Sequence, residues 1–194
     1  MSDHKDIGFL RELGRKAIHL GALGMPIGLW FVPRGIARPV LLVCFLTAAA
    51  IDFSRWGQGT VASALRRVFG RVLRPHETSR FSGGTYILAS GVLCASLFSR
   101  PVAVAALICI ILGDTAAVFV GRYLGRIHFG HKTLEGSLGF FVAALLGILW
   151  IPGIPMHVKV AGAVVGAVVE ALPLPLDDNL TVPVAVGAIM TALM

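Results

Sequence analysis

Charge is scarce in this sequence. Only 14% of its 194 residues are Asp, Glu, Lys or Arg, against 56% hydrophobic, and the mean hydropathy is +0.84. That balance excludes an ordinary soluble domain, in which about a quarter of the residues carry charge. Strand-like alternation of apolar and polar residues is missing too, which leaves an all-α helical bundle as the way to satisfy backbone groups in lipid. Cysteine is sparse: Cys44, Cys94 and Cys109 fall in apolar segments, without Cys-x-x-Cys spacing or a neighbouring ligand set, and are expected in the core. No Gly-x-Ser-x-Gly elbow or His-Glu-x-x-His pair occurs, which argues against a serine hydrolase or a zinc enzyme. Internal repeats, low-complexity tracts and a second soluble domain are likewise missing, so residues 1–194 read as one integral-membrane domain. The first 16 residues are mixed and charged, with no short apolar core before a small-residue cleavage site. A removable signal peptide is therefore not expected, and the first apolar run should stay in the membrane.

What is present is a series of apolar runs. Seven spans are expected, at 17–32, 37–51, 83–98, 102–121, 137–151, 157–171 and 180–194, of which the second and last are short for a full crossing. The net charge of +7 would suggest nucleic acid in a soluble protein, but the cations sit between the apolar runs and read as topology signals. Of the 17 Lys and Arg, the spans place Lys5, Arg11, Arg15, Lys16, Arg55, Arg66, Arg67, Arg71, Arg74, Arg80, Arg122, Arg126 and Lys132 on one side. Arg34, Arg38, Arg100 and Lys159 fall on the other. The excess puts the N-terminus in the cytoplasm. The connection 52–80 carries Val61, Leu65, Val68, Phe69 and Val72 at helical spacing opposite Arg66, Arg67, Arg71 and Arg74, as in an amphipathic helix on the anionic leaflet; a solvated linker is the other reading.

With this topology the first, third, fifth and seventh spans all start at the cytoplasmic face, and their partly positive N-termini favour anions there. The polar motifs fall at the same four starts. Arg15, Lys16 and His19 share one helix face, as a site or as a positive-inside anchor. Ser82-Gly83-Gly84-Thr85 would let backbone approach a phosphate, or form a plain turn. Gly125 to Thr133 invites comparison with the phosphate-binding loop G-x-x-x-x-G-K-[ST], but His131 is inserted before Lys132 and no soluble strand precedes it. A Gly-spaced basic loop remains, with Lys132 as a point charge for phosphate and Thr133 as a possible helix cap. Of Asp177, Asp178 and Asn179 one residue suffices as a cap, which leaves at least one carboxylate to explain. Asp114 sits inside an apolar run, where a carboxylate costs about 2.5 to 3.5 kcal/mol on insertion scales. Together with Glu135, Glu170, Asp177 and Asp178 it could supply oxygens to Mg²⁺ or another divalent cation; structural roles stay open for Asp114 and Glu170. A basic, Gly-rich face with scattered carboxylates suits phosphoryl chemistry.

In order along the chain, Arg15-Lys16-x-x-His19, Glu77-x-x-Arg80-Phe81-Ser82-Gly83-Gly84-Thr85, Gly113-Asp114-Thr115-Ala116-Ala117 with Gly121 and Gly125, Lys132-Thr133-x-Glu135-Gly136-Ser137, and Glu170 with Asp178-Asn179 resemble the CTP-dependent lipid kinases. That family includes dolichol kinase, phytol kinase and the CTP-using diacylglycerol kinase. The resemblance implies transfer of the γ-phosphoryl group of CTP to the hydroxyl of a membrane lipid alcohol, giving lipid phosphate and CDP, with a divalent cation at the cytoplasmic side. The chain lacks the extra spans of dolichol kinases, so the phytol and diacylglycerol branches fit its size better. The resemblance marks Arg15, Lys16, Asp114 and Gly121 as required. With Lys132 added, Arg15, Lys16 and Asp114 form the expected catalytic set. Nucleotide contacts are expected from His19, Arg80, Ser82, Gly83, Gly84, Thr85, Gly121, Gly125, Thr133, Gly136, Ser137 and Asn179, and cation ligands from Asp114, Glu135, Glu170, Asp177 and Asp178. The expected setting is a prokaryotic inner membrane, with a lipid alcohol and a nucleotide as partners and no nucleic acid. Two other readings remain: a CTP:lipid-phosphate cytidylyltransferase, and an ion-coupled carrier using Asp114.

Overall fold

A computed structural model describes residues 14–70, 80–130 and 132–194. Lys5, Arg11, Arg71, Val72, Arg74, Glu77 and His131 lie outside those residues. The described chain is almost wholly helical, with one short hairpin. The expected first span is two helices, α1 over 14–21 and α2 (Gly24–Phe31). Pro26 explains the break: it has no N–H to give, and its ring collides with the carbonyl four residues back, that of Ala22. The Met25 N–H takes that carbonyl instead, at 2.9 Å.

Helix α3 (Arg34–Trp56) is 23 residues long, not the short span expected at 37–51. It runs through Asp52–Trp56, which the sequence reading gave to the connection, because Asp52 and Arg55 are one turn apart and neutralise each other: Arg55 Nη2 lies 2.8 Å from Asp52 Oδ1. Helix α4 (Thr60–Phe69) follows, with Ala62 buried and Val61 and Val68 exposed. Arg66 reaches from α4 to the carbonyls of Arg55 (2.8 Å) and Gly57 (2.9 Å), tying it to the end of α3.

The remaining elements are α5 (Gly83–Leu97), α6 (Arg100–Leu124), the hairpin β1 (His128–Phe129) and β2 (Lys132–Thr133), α7 (Leu134–Ile148), α8 (Met156–Ala171) and α9 (Asp178–Ala192). Among the described residues, helices α3 and α6 are long and apolar enough to cross a membrane by themselves. The 15-residue helices α5, α7 and α9 extend about 22 Å at 1.5 Å per residue.

Helix α6 is the central element. It packs on α2, α5, α7, α8 and α9, and every residue from Val102 to Ile111 is buried. Glycines let it approach its neighbours: a Cβ on Gly113 would lie 2.7 Å from the ring of Phe140 (α7), and one on Gly166 (α8) 2.9 Å from the same ring. By contrast α3 lies at the periphery, with Ile36, Val40, Val43, Leu46 and Phe53 exposed. Cys94 and Cys109 are buried as expected, but Cys44 is exposed on α3, because the outer face of that helix has no protein neighbour.

All four cations assigned to the far side donate to carbonyls at or near helix C-termini. Arg34 and Arg38 reach Phe98 O (2.8 Å) and Ala95 O (2.9 Å) at the end of α5. Arg100 reaches Trp30 O (3.2 Å) at the end of α2, and Lys159 reaches Leu149 O (2.6 Å) at the end of α7. These carbonyls have no intrahelical partner, and the C-terminal end of a helix is partly negative.

Candidate active site

At the opposite end, a cavity of about 610 Å³ opens between α1, α6, the hairpin, α7, α8 and α9. Helix α6 presents Asp114, Val118, Gly121 and Arg122 to it, a stripe spaced three to four residues apart. Asp114 lies ten residues before Leu124, the last residue of α6, so it sits about 15 Å inside the end of the helix. Arg15 joins from α1, His128 and Lys132 from the hairpin, Gly136 and Ser137 from α7, Glu170 from the end of α8 and Asp178 from the start of α9.

The hairpin owes its shape to Gly130, whose φ of +60° suits glycine in a tight turn. Phe129 pairs with Lys132 and His128 with Thr133, and the Leu134 N–H continues the pairing to Ile127 O at 3.0 Å. Thr133 then caps α7, its hydroxyl oxygen accepting the Gly136 N–H at 3.1 Å. Gly121 and Gly136 mark a close crossing of α6 and α7. A Cβ on either would fall 2.9 Å from Thr133 Oγ1.

Two ammonium groups meet three carboxylates here. Lys16, 4% exposed, donates to Asp114 Oδ2 at 2.5 Å and to the Asp114 carbonyl at 3.2 Å. His19 Nε2 lies 3.4 Å from the same Oδ2. Lys132 donates to Glu170, and its Nζ is 3.7 Å from Asp178 Oδ2. Burial by itself would lower the Lys132 pKa, but the Glu170 carboxylate, with Asp178 and Asp114 behind it, holds it above the ordinary lysine value.

Asp114, Glu170 and Asp178 each place a carboxylate oxygen within 4.8 Å of the other two. Oxygens sharing one Mg²⁺ lie at most about 4.2 Å apart, twice the metal–oxygen distance of about 2.1 Å, so small side-chain rotations would close this trio on a hard divalent cation. The donor set fits such an ion.

Of the residues expected from sequence, Arg15, Asp114, Gly121, Lys132, Thr133, Gly136, Ser137, Glu170 and Asp178 line the cavity, with Lys16 and His19 against Asp114. The others are placed elsewhere. Asp177 caps α9, accepting the Asn179 N–H at 3.0 Å and its side-chain amide at 2.8 Å, while the Asn179 Oδ1 is buried without a hydrogen-bond partner. Glu135 accepts the Ile127 N–H at 3.3 Å and braces the base of the hairpin. Gly125 ends α6, where a Cβ would meet Thr133 Cγ2 at 2.8 Å.

The start of α5 receives an internal carboxylate. Asp52 Oδ2 accepts from Ser82 N (2.8 Å) and Thr85 Oγ1 (2.7 Å), Ser82 caps the helix, and the Arg80 carbonyl accepts from Arg55 at 3.0 Å. Arg80, Ser82, Gly83, Gly84 and Thr85 do not line the cavity.

Arg122 and His128 line the cavity, and Asp52 holds the start of α5, without being expected from the sequence. Arg122 was legible from the α6 stripe, eight residues beyond Asp114. Asp52 had no such signal, since its partners lie 30 and 33 residues away.

Comparison with known proteins adds an independent observation. The chain is 27% identical to the CTP-dependent diacylglycerol kinase 1 of Schizosaccharomyces pombe, over 94% of each chain. Its sequence is thus similar to that of a CTP-dependent diacylglycerol kinase. The CTP-dependent diacylglycerol kinase 1 of Eremothecium gossypii is 26% identical over 89% of this chain and 64% of its own length. An uncharacterized protein of Rickettsia prowazekii, RP860, is 27% identical over 69% of this chain and 67% of its own. No known family profile matches the chain, and no solved structure matches it.

Proposed function

We propose that the protein is a membrane-embedded CTP-dependent lipid kinase that moves the γ-phosphoryl group of CTP to the hydroxyl of a lipid alcohol, of diacylglycerol, phytol or polyprenol type. The observation that carries this reading is the cavity itself, where cationic Arg15, Arg122 and Lys132 face the same space as three clustered carboxylates. Phosphoryl transfer asks a protein chiefly for positioning and for neutralisation of phosphate charge. The two fungal relatives, both CTP-dependent diacylglycerol kinases, agree with it.

In the proposed arrangement the chain crosses a prokaryotic inner membrane seven times. Its N-terminus and the cavity face the cytoplasm, and α4 lies on the anionic leaflet with Val61 and Val68 toward the lipid. Exposed apolar side chains on the outer faces of the bundle, among them Phe31, Val43, Leu97 and Leu146, support this placement.

CTP enters from the aqueous side with its phosphates toward Arg15, Arg122 and Lys132. The lipid hydroxyl comes from the bilayer to the depth of Asp114. A bond forms between the hydroxyl oxygen and the γ-phosphorus while the bridging bond to the β-phosphate breaks and CDP leaves. Asp114 takes the hydroxyl proton, oriented by Lys16 and His19. A divalent cation held by Asp114, Glu170 and Asp178 would supply charge neutralisation at the phosphates.

The test is incubation of the purified protein, in bilayers carrying a panel of lipid alcohols and, in parallel, of lipid phosphates, with γ-labelled CTP. Label in the lipid fraction supports the proposal. Label released as pyrophosphate indicates a cytidylyltransferase, and no transfer to any acceptor would point to a carrier.

A further inference from the structure

The two lysines of the site differ in a way that assigns them different tasks. Lys16 has a side chain only 4% exposed and is held by both the carboxylate and the carbonyl of Asp114. Lys132 has a side chain 37% exposed, projects from a two-residue strand next to the Gly130 turn, and reaches in to Glu170, whose side chain is only 3% exposed. Its ammonium contacts Glu170 and sits 3.7 Å from Asp178, two of the three carboxylates whose oxygens converge within 4.8 Å.

Three carboxylates converging in a half-buried place repel one another strongly unless a positive charge lies among them. Among the described residues Lys16 answers Asp114 only. Lys132 stands where a cation shared by the carboxylates would stand, and its long stem leaves it an open route toward the cavity.

We propose that Lys132 is an exchangeable internal counter-cation. Its ammonium keeps Glu170 and Asp178 assembled beside Asp114, a divalent cation displaces it, and the displaced ammonium turns into the cavity to meet the phosphates of the nucleotide. This rests on reading the site as a phosphoryl-transfer centre. The exchange makes cation and nucleotide binding mutually reinforcing. A cation arriving without nucleotide must expel an ammonium that has no new partner, whereas one arriving with it leaves the ammonium a phosphate to bind. Such coupling is reciprocal between the two ligands.

The test is a Mn²⁺ titration of the full chain in detergent without nucleotide, followed by electron paramagnetic resonance, on wild type and Lys132→Met. Removal of the competing ammonium is expected to tighten Mn²⁺ binding by about tenfold or more. Equal or weaker binding in the variant, or no binding to either protein, overturns the proposal. Should Lys132→Met fail to fold, the wild type answers by itself: acetylation of Lys132 by acetic anhydride, read by peptide mass, is expected to rise several-fold when Mn²⁺ is added, and an unchanged rate overturns the exchange. The kinase reading is scored separately by transfer of γ-label in the wild type. A protein that shows the Mn²⁺ behaviour but transfers no label retains the exchange and loses the assigned reaction.

Discussion

At one end of the bundle Arg34, Arg38, Arg100 and Lys159 donate to backbone carbonyls; at the other, Lys16 and Lys132 donate to carboxylates. The first set follows from the fold, since the ends of α2, α5 and α7 gather there and their last carbonyls need donors. The second set answers groups that the fold does not require. The N-termini of α5, α7 and α9 at that end are already capped by Ser82, Thr133 and Asp177. Asp114, Glu170 and Asp178 are therefore surplus to helix capping, and burying Asp114 and Glu170 is costly unless they serve something else. The difference separates cations that close a structure from cations that prepare a site.

The largest effect is expected at Asp114. Asp114→Asn is expected to lower label transfer by about 10²- to 10⁴-fold, the range for loss of a positioned proton acceptor. Asp114→Asn and Asp114→Ala should both destabilise the bundle, by about 3 to 5 kcal/mol, because each leaves the buried Lys16 ammonium without its carboxylate. The double variant Asp114→Asn with Lys16→Met should recover stability in a denaturation experiment and not recover activity. Recovery of activity would show that the pair is structural.

At the crossing of α6 and α7, Gly121→Ala places a methyl 2.9 Å from Thr133 Oγ1. The helices must separate, at a cost of about 1 to 3 kcal/mol, and turnover should fall with the altered cavity wall. Thermal unfolding and initial rates on the same preparation check both effects.

At the far end, Arg38→Met removes a charged donor from Ala95 O and should cost about 1.5 kcal/mol, with the rate per folded molecule unchanged. The smallest effect concerns pH. Because the carboxylates raise the Lys132 pKa, its contribution is complete below the ordinary lysine value of about 10.4 and is lost only as pH rises above that. The stability difference between wild type and Lys132→Met should stay flat from neutrality up to the lysine range and close beyond it.

Much of this arrangement is legible in the sequence, because apolar runs fix which ends of the helices share a side. The gathering of Arg15, Asp114, Lys132, Glu170 and Asp178 at one end follows from that alternation. Partner choice was not legible. Lys16 and Asp114 are 98 residues apart, and nothing in local spacing says that one will neutralise the other. The same holds for Asp52, at the edge of a polar segment, whose partners Ser82 and Thr85 are 30 and 33 residues away. The break at Ala22–Leu23 was readable from Pro26 but was masked by the continuous hydrophobicity around it. The hairpin was hidden because four paired residues are too few to show alternation.

The role of Asp114 in phosphoryl transfer is tested by measuring γ-label transfer from CTP to lipid for wild type, Asp114→Asn and Arg38→Met in the same bilayers, normalised to folded protein. That role predicts equal rates for wild type and Arg38→Met and background transfer for Asp114→Asn. Near-normal transfer by Asp114→Asn, or an equal loss in both variants, would contradict it.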